Sequence, residues 1–228
     1  MTPNFMIVGE AGCGKSHVAS FLINKFEYVR YSLATPIKNI ELWVRTYDEK
    51  HPSKEDYRLL QFIQDWKNKF NQTFDGCLTH AEKDDFVMRL YQELPKIPDV
   101  DKKHRDRLQF IGVDLARSIN ENVWVKNLIK RINIDSKPNP IVVDDVRFKN
   151  EFNTLTDLGW ISIRLTISKP MQERRLNVLY DMTPEQVHNM RMHSSERDLD
   201  NVKTDFTINS DASLMDVYEE VQKIVRSY

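Results

Sequence analysis

The run GEAGCGKS, from Gly9 to Ser16, constrains this chain more than any other stretch of it. It fits the spacing GxxxxGK[ST]. It follows the apolar run Phe5 to Val8 and precedes Val18, Phe21, Leu22 and Phe26, which repeat at helical spacing. A strand, a glycine-rich bend and a helix in that order make a cradle for phosphate, because successive backbone N–H groups point into the bend and the positive end of the helix adds to them. Gly12, Cys13, Gly14, Lys15, Ser16 and His17 are therefore the candidates for holding the phosphates of a nucleotide. Lys15 is expected to reach the β- and γ-phosphates, and Ser16 to ligate magnesium. Cys13 reads as a small residue tolerated in the bend and not as a nucleophile.

The rest of the chain alternates strand-like and helix-like stretches. A short apolar passage from Tyr28 to Leu33 leads into LATPIKNIELWV, where Pro36 suits a first helical turn and Ile37, Ile40 and Leu42 give an apolar side. PIVVDDV and WISIRLTI read as buried strands joined by the helical RFKNEFNTLTDLG, which Gly159 ends. DFTI offers a last strand before an amphipathic helix carrying Leu214, Val217, Tyr218, Val221, Ile224 and Val225. This pattern predicts an α/β fold, a mostly parallel sheet flanked by helices, with ligands beyond the carboxyl ends of the strands. The 228 residues read as one domain with a helical insertion over about 41–104 and an arginine-rich lid over about 169–200. Ser53 with Asp56, Thr79 with Glu82, and Thr183 with Pro184 and Gln186 mark helix starts there. An exposed helical hairpin with only a packing role is the alternative reading of the insertion.

Charge and composition narrow the partners. The 33 basic and 34 acidic residues nearly cancel, so the chain lacks the basic footprint of a duplex-binding protein, and small anionic partners fit better than nucleic acid. Two cysteines form no disulfide framework, no apolar run is long enough to span a membrane, and no leader opens the chain. The expectation is a reduced, cytoplasmic protein with no membrane partner. A guanine-specific switch is excluded by the lack of DxxG and NKxD segments, NKFE at Asn24 to Glu27 being the nearest miss. Asp144 and Asp145 end a buried strand, where Asp144 can hold magnesium through water. Arg147 and Glu151 add an anion binder and an acceptor at the same mouth. Arg174, Arg175, Arg191 and Arg197 form either a solvated face or a positive lid, and at least one is expected to close over the transferring group. His193 has no partners at metal-ligand spacing and reads as structural.

Several segments together resemble the bacteriophage deoxynucleoside monophosphate kinases, themselves similar to the wider nucleoside monophosphate and dephospho-coenzyme A kinases. They are the phosphate loop, YSLATPIK, LQFIGVDLAR with VWVK, DDVRFKNE, and HSSE followed by TINSDASL. The resemblance implies a phosphate-loop kinase that moves the γ-phosphate of ATP, with Mg2+, to a deoxynucleoside monophosphate. Lys15, Asp145 and Arg147 then carry catalysis, and Ile37, Lys38, Arg105, Gln109, Gly112, Trp124, Asp145, Arg147 and Glu151 contact the monophosphate substrate. It also implies small nucleotides as partners and a homodimer. Bland readings stand beside these roles: Lys38 as an exposed helix lysine, Trp124 as a core indole, Asp114 as helix structure. The stretch Met171 to His193 is longer than the family's short lid, and Ala212 stands where a glycine is common. The rival readings are a kinase of another small acceptor, such as dephospho-coenzyme A, and a nucleotide-gated ATPase or assembly module.

Overall fold

The structure, a computed structural model, describes residues 2–50, 58–97, 104–136, 138–180, 183–192 and 197–228. It divides into two compact units, Met1–Ser32 with Ser136–Tyr228, and Leu33–Asp135.

The first unit is built on five parallel strands, β1 (Phe5–Val8), β2 (Val29–Tyr31), β3 (Ile141–Val143), β4 (Ile161–Thr166) and β5 (Phe206–Asn209), in the order β2-β3-β1-β4-β5. Every residue of β1 is fully buried, as a strand covered by helices on both faces must be. Phe5 and Ile7 point toward α1 (Lys15–Phe26) and the C-terminal helix (Leu214–Arg226), where they join Val18, Leu22, Ile163, Leu165, Val217 and Val221 in one apolar cluster. Phe21 stacks on Tyr218 with ring centroids 4.3 Å apart, tying these two helices together. The C-terminal helix opens with a reciprocal cap between Ser213 and Asp216. Parallel register aligns Met6 with Val143, Val8 with Arg164 and Thr166 with Asn209, so the loops after β1, β3, β4 and β5 leave along one edge. The same unit carries α8 (Lys149–Asp157), α9 (Lys169–Tyr180) and α10 (Pro184–Met192). Thr183 and Gln186 cap each other at the start of α10.

The second unit contains α2 (Thr35–Lys50), α3 (Arg58–Phe74), α4 (His80–Glu93), α5 (Arg105–Gln109), α6 (Ala116–Ile119) and α7 (Val123–Asp135). Its centre is aromatic: Trp66 stacks on Phe74 at 5.6 Å, and Phe74 meets Phe86 at 5.3 Å and Trp124 at 5.9 Å. Thr79 and Glu82 form the expected reciprocal cap of α4, while Ser53 and Asp56 lie outside the described residues. One feature departs from the sequence reading. Leu42 is half exposed, and the apolar side of α2 is instead Ile40, Val44 and Tyr47. Glu41 turns inward because Arg107, itself buried, meets its carboxylate at 3.3 Å, with Arg45 at 3.6 Å. Within LQFIGVDLAR, Phe110–Leu115 widens into a π-turn between α5 and α6. Such widened turns often mark functional sites.

Among the described residues, no helix is long and apolar enough to cross a membrane. Truncating Leu22, fully buried under the sheet, removes packing that neighbours cannot refill. Leu22→Ala is expected to destabilise the protein by about 2–5 kcal/mol, read as a lower midpoint in urea unfolding.

Candidate functional site

The loop after β1 is shaped by three glycines at positive φ, Gly9 at 143°, Gly12 at 80° and Gly14 at 95°. Gly9 is the most demanding, because a Cβ there would lie 2.3 Å from the carbonyl oxygen of Leu165 on β4. No side chain fits that approach. Gly14 then caps α1, its carbonyl accepting from the N–H groups of His17 at 3.0 Å and Val18 at 3.2 Å. Ser16 and His17 are exposed in the first turn. The Lys15 ammonium folds back across the loop and donates to the carbonyls of Gly9 at 2.5 Å and Glu10 at 2.9 Å. Desolvation holds it below the ordinary lysine range; Arg147 pushes the same way, while Cys13, Asp144 and Asp145 oppose the shift. Cys13 is 1% exposed and packs in the apolar cluster, where burial pushes its thiol upward against the pull of Lys15. It contributes packing beneath the loop.

The loop after β3 faces the same charge. Asp144, 3% exposed, receives both arms of Arg30, from Nε at 2.9 Å and Nη2 at 2.7 Å. Asp145 accepts from the Ser32 hydroxyl at 2.6 Å. Arg30 and Ser32 drew no attention in the sequence; only the register of β2 on β3, which sets Arg30 beside Val142, brings them there. Glu151 does not reach out from this mouth. It is buried and turns back to accept the backbone N–H groups of Arg147 at 3.0 Å and Phe148 at 3.2 Å, so it shapes the loop that carries Arg147. A cavity of about 360 Å³ opens beside Arg147, lined also by Glu10, Arg164, Thr166, Leu199 and Asp200.

Helix α9 contacts the glycine loop. Gln172 on α9, 1% exposed, donates to the Ala11 carbonyl at 2.8 Å. Arg175, one turn on, donates to the carbonyls of Gly12 at 3.3 Å and Ser210 at 2.6 Å, and so joins the loop to the turn after β5. Arg191 on α10 is spent on α9, where it donates to Gln172 at 2.6 Å, Glu173 at 2.9 Å and the Lys169 carbonyl. Arg174 and Arg197 are exposed. Of Arg174, Arg175, Arg191 and Arg197, Arg175 therefore touches the glycine loop. Gln172 was not foreseen, because an isolated glutamine on a polar helix gives no signal. His193 and the HSSE segment lie outside the described residues.

In the helical unit, Ile37, Gly112 and Trp124 form one stack. A Cβ on Gly112 would sit 2.9 Å from Ile37 Cδ1, and the Gly112 carbonyl accepts the Trp124 indole N–H at 2.8 Å. Trp124 is 2% exposed and packs against Phe74, a placement that matches its reading as a core indole. Lys38, Gln109 and Asp114 are exposed and Arg105 is half-buried. Among the described residues no group of three or more His, Cys, Asp or Glu is placed to hold a metal by itself.

No family model matches the chain. It is 22% identical over 179 residues, 70% of its own length and 71% of the other's, to a protein of Acanthamoeba polyphaga mimivirus provisionally described as a deoxynucleotide monophosphate kinase. Among solved structures, a gluconokinase from Sinorhizobium meliloti 1021 aligns over 99% of this chain and 93% of its own at 12% identity and a TM-score of 0.48. Dephospho-CoA kinase from Campylobacter jejuni aligns over 99% and 96% at 16% identity and a TM-score of 0.43.

Burial and a raised thiol pKa act together at Cys13 and at Cys77, 3% exposed. Neither cysteine is expected to react with a chromogenic disulfide reagent at pH 8 until the protein is unfolded, when both titrate. Prompt reaction of one thiol in the folded protein contradicts the packing described for it.

Proposed function

We propose that the chain transfers the γ-phosphoryl group of ATP to a deoxynucleoside monophosphate, giving ADP and the deoxynucleoside diphosphate. The observation that carries this reading is the Lys15 ammonium, seated on a loop of three positive-φ glycines and within electrostatic reach of Arg147, Asp144 and Asp145. A donor loop alone serves any nucleotide hydrolase. The added arginine at the same strand ends offers charge for a second anion, and the description of the mimivirus relative supports a deoxynucleotide as that anion.

In this reading, an oxygen of the acceptor phosphate attacks the γ-phosphorus as the bond to the β-bridging oxygen breaks, and ADP leaves with that electron pair. The protein's part is positioning and charge compensation. Lys15 leaves the Gly9 and Glu10 carbonyls to span the donor phosphates. Arg147, on the loop that Glu151 holds, takes the acceptor phosphate. Arg175 lies across the Gly12 carbonyl, where it offsets charge on the donor side. The Ser16 hydroxyl and the Asp144 and Asp145 carboxylates are hard oxygen donors of the kind Mg2+ takes one or two at a time, the rest of its shell being water and phosphate. Bound there, Mg2+ would neutralise charge on the donor oxygens.

Three measurements test the reading. ADP release from ATP is expected to be slow alone and to rise by orders of magnitude with a deoxynucleoside monophosphate. Stimulation by dephospho-coenzyme A alone moves the acceptor class, and equal turnover without any acceptor removes the kinase reading. Lys15→Ala is expected to lower transfer at least about 100-fold with an unchanged melting temperature, since it removes charge and no core packing. Arg147→Ala is expected to raise the KM for the monophosphate about tenfold or more and that for ATP little; the reverse pattern assigns Arg147 to the donor.

A further inference from the structure

Asp198, which follows α10 in the chain, meets the loop carrying Arg147. Asp198 Oδ2 accepts the backbone N–H of Lys149 at 2.7 Å. Lys149 is the first residue of α8, and the two N–H groups before it, on Arg147 and Phe148, go to Glu151. Three successive backbone donors are thus held by two carboxylates, one from α8 itself and one from the segment that follows α10. That segment is fixed independently: Arg164 on β4 donates to the carbonyls of Leu199 at 2.7 Å and Val202 at 2.9 Å. Leu199 and Asp200 then line the same 360 Å³ cavity as Arg147.

We propose that Asp198 is a positioning residue for Arg147: by capping the first N–H of α8 it sets where the guanidinium stands in the cavity and ties that placement to the segment leaving the lid. The inference rests on the reading of Arg147 as the contact to the acceptor phosphate. Glu151 holds the loop from within α8, and Asp198 ties it to the segment that Arg164 fixes. Release of this tie leaves the donor side intact, because Gln172 and Arg175 hold the glycine loop through other atoms. A shift well under an ångström at Arg147 is enough to weaken a phosphate contact.

The backbone allows a clean test. Phe148 has φ −122° and ψ 148°, the conformation that a residue before proline prefers, and proline is well tolerated at the first helical position. Lys149→Pro therefore deletes the donated N–H without breaking α8, Lys149→Ala removes the charge and keeps the N–H, and Asp198→Asn keeps an oxygen that can accept it. Steady-state kinetics with separately varied ATP and deoxynucleoside monophosphate are expected to show the acceptor KM raised about tenfold in Asp198→Ala and in Lys149→Pro. The ATP KM should stay within about twofold, Lys149→Ala should resemble the parent, and Asp198→Asn should recover most of the loss. The double variant Asp198→Ala with Lys149→Pro should be no worse than either alone, because both remove one bond. If Asp198→Ala fails to fold, Lys149→Pro and Asp198→Asn still decide. Normal acceptor KM in Lys149→Pro, equal loss for both substrates, or additive losses overturn the proposal. A parent enzyme without acceptor-stimulated turnover overturns the kinase reading and this inference with it, whereas a stimulated parent with unresponsive variants overturns the inference alone.

Discussion

The approach of the Gly9 backbone to the Leu165 carbonyl is the contact on which the site depends. With 2.3 Å between that oxygen and any Cβ, only glycine lets β1 end against β4 in this way. The turn that follows puts Cys13 beneath the loop, brings Gly14 to the start of α1 and lets the Lys15 side chain cross the bend to the Gly9 and Glu10 carbonyls. Helix α9 depends on the same turn, because Gln172 and Arg175 bind carbonyls at Ala11 and Gly12. A single backbone constraint thus sets the glycine loop, its lysine and the seat of α9.

Electrostatics around that lysine are balanced rather than simply positive. Desolvation and Arg147 disfavour the Lys15 charge; Asp144 and Asp145 favour it. Asp144 is in turn tied to Arg30 by a two-armed pair, with the arginine end nearly half exposed and the carboxylate almost fully buried. A buried carboxylate without such a partner is strongly disfavoured, so the pair secures the charge that Lys15 feels. In this account phosphate anions replace backbone carbonyls as the partners of Lys15, an exchange that strengthens the ammonium in a desolvated place.

Much of the first unit was legible in the chain because its constraints are local. The loop after β1 takes positive φ at Gly9, Gly12 and Gly14, and glycine spacing encodes such angles. The five strands were legible because a sheet covered on both faces demands short apolar runs, and each run in the sequence became a strand. What the sequence hid depends on register. Arg30 and Ser32 acquire carboxylate partners only because β2 lies beside β3, and Gln172 acquires Ala11 across 161 residues of chain. In the helical unit, an indole on an amphipathic helix can serve a base or a core, and the Gly112 carbonyl takes up the N–H of Trp124. The inward turn of Glu41 on α2 depends on Arg107, 66 positions along the chain. The π-turn at Phe110–Leu115 has no sequence signature at all, since its residues are ordinary helix formers.

The fate of the γ-phosphorus tests the central claim most directly. ATP labelled at that atom is incubated with the protein, Mg2+ and one deoxynucleoside monophosphate, and the products are separated. The account predicts that the label is recovered in the deoxynucleoside diphosphate, in step with ADP and with little inorganic phosphate. Label found only in inorganic phosphate, at the same rate with and without the monophosphate, would contradict it.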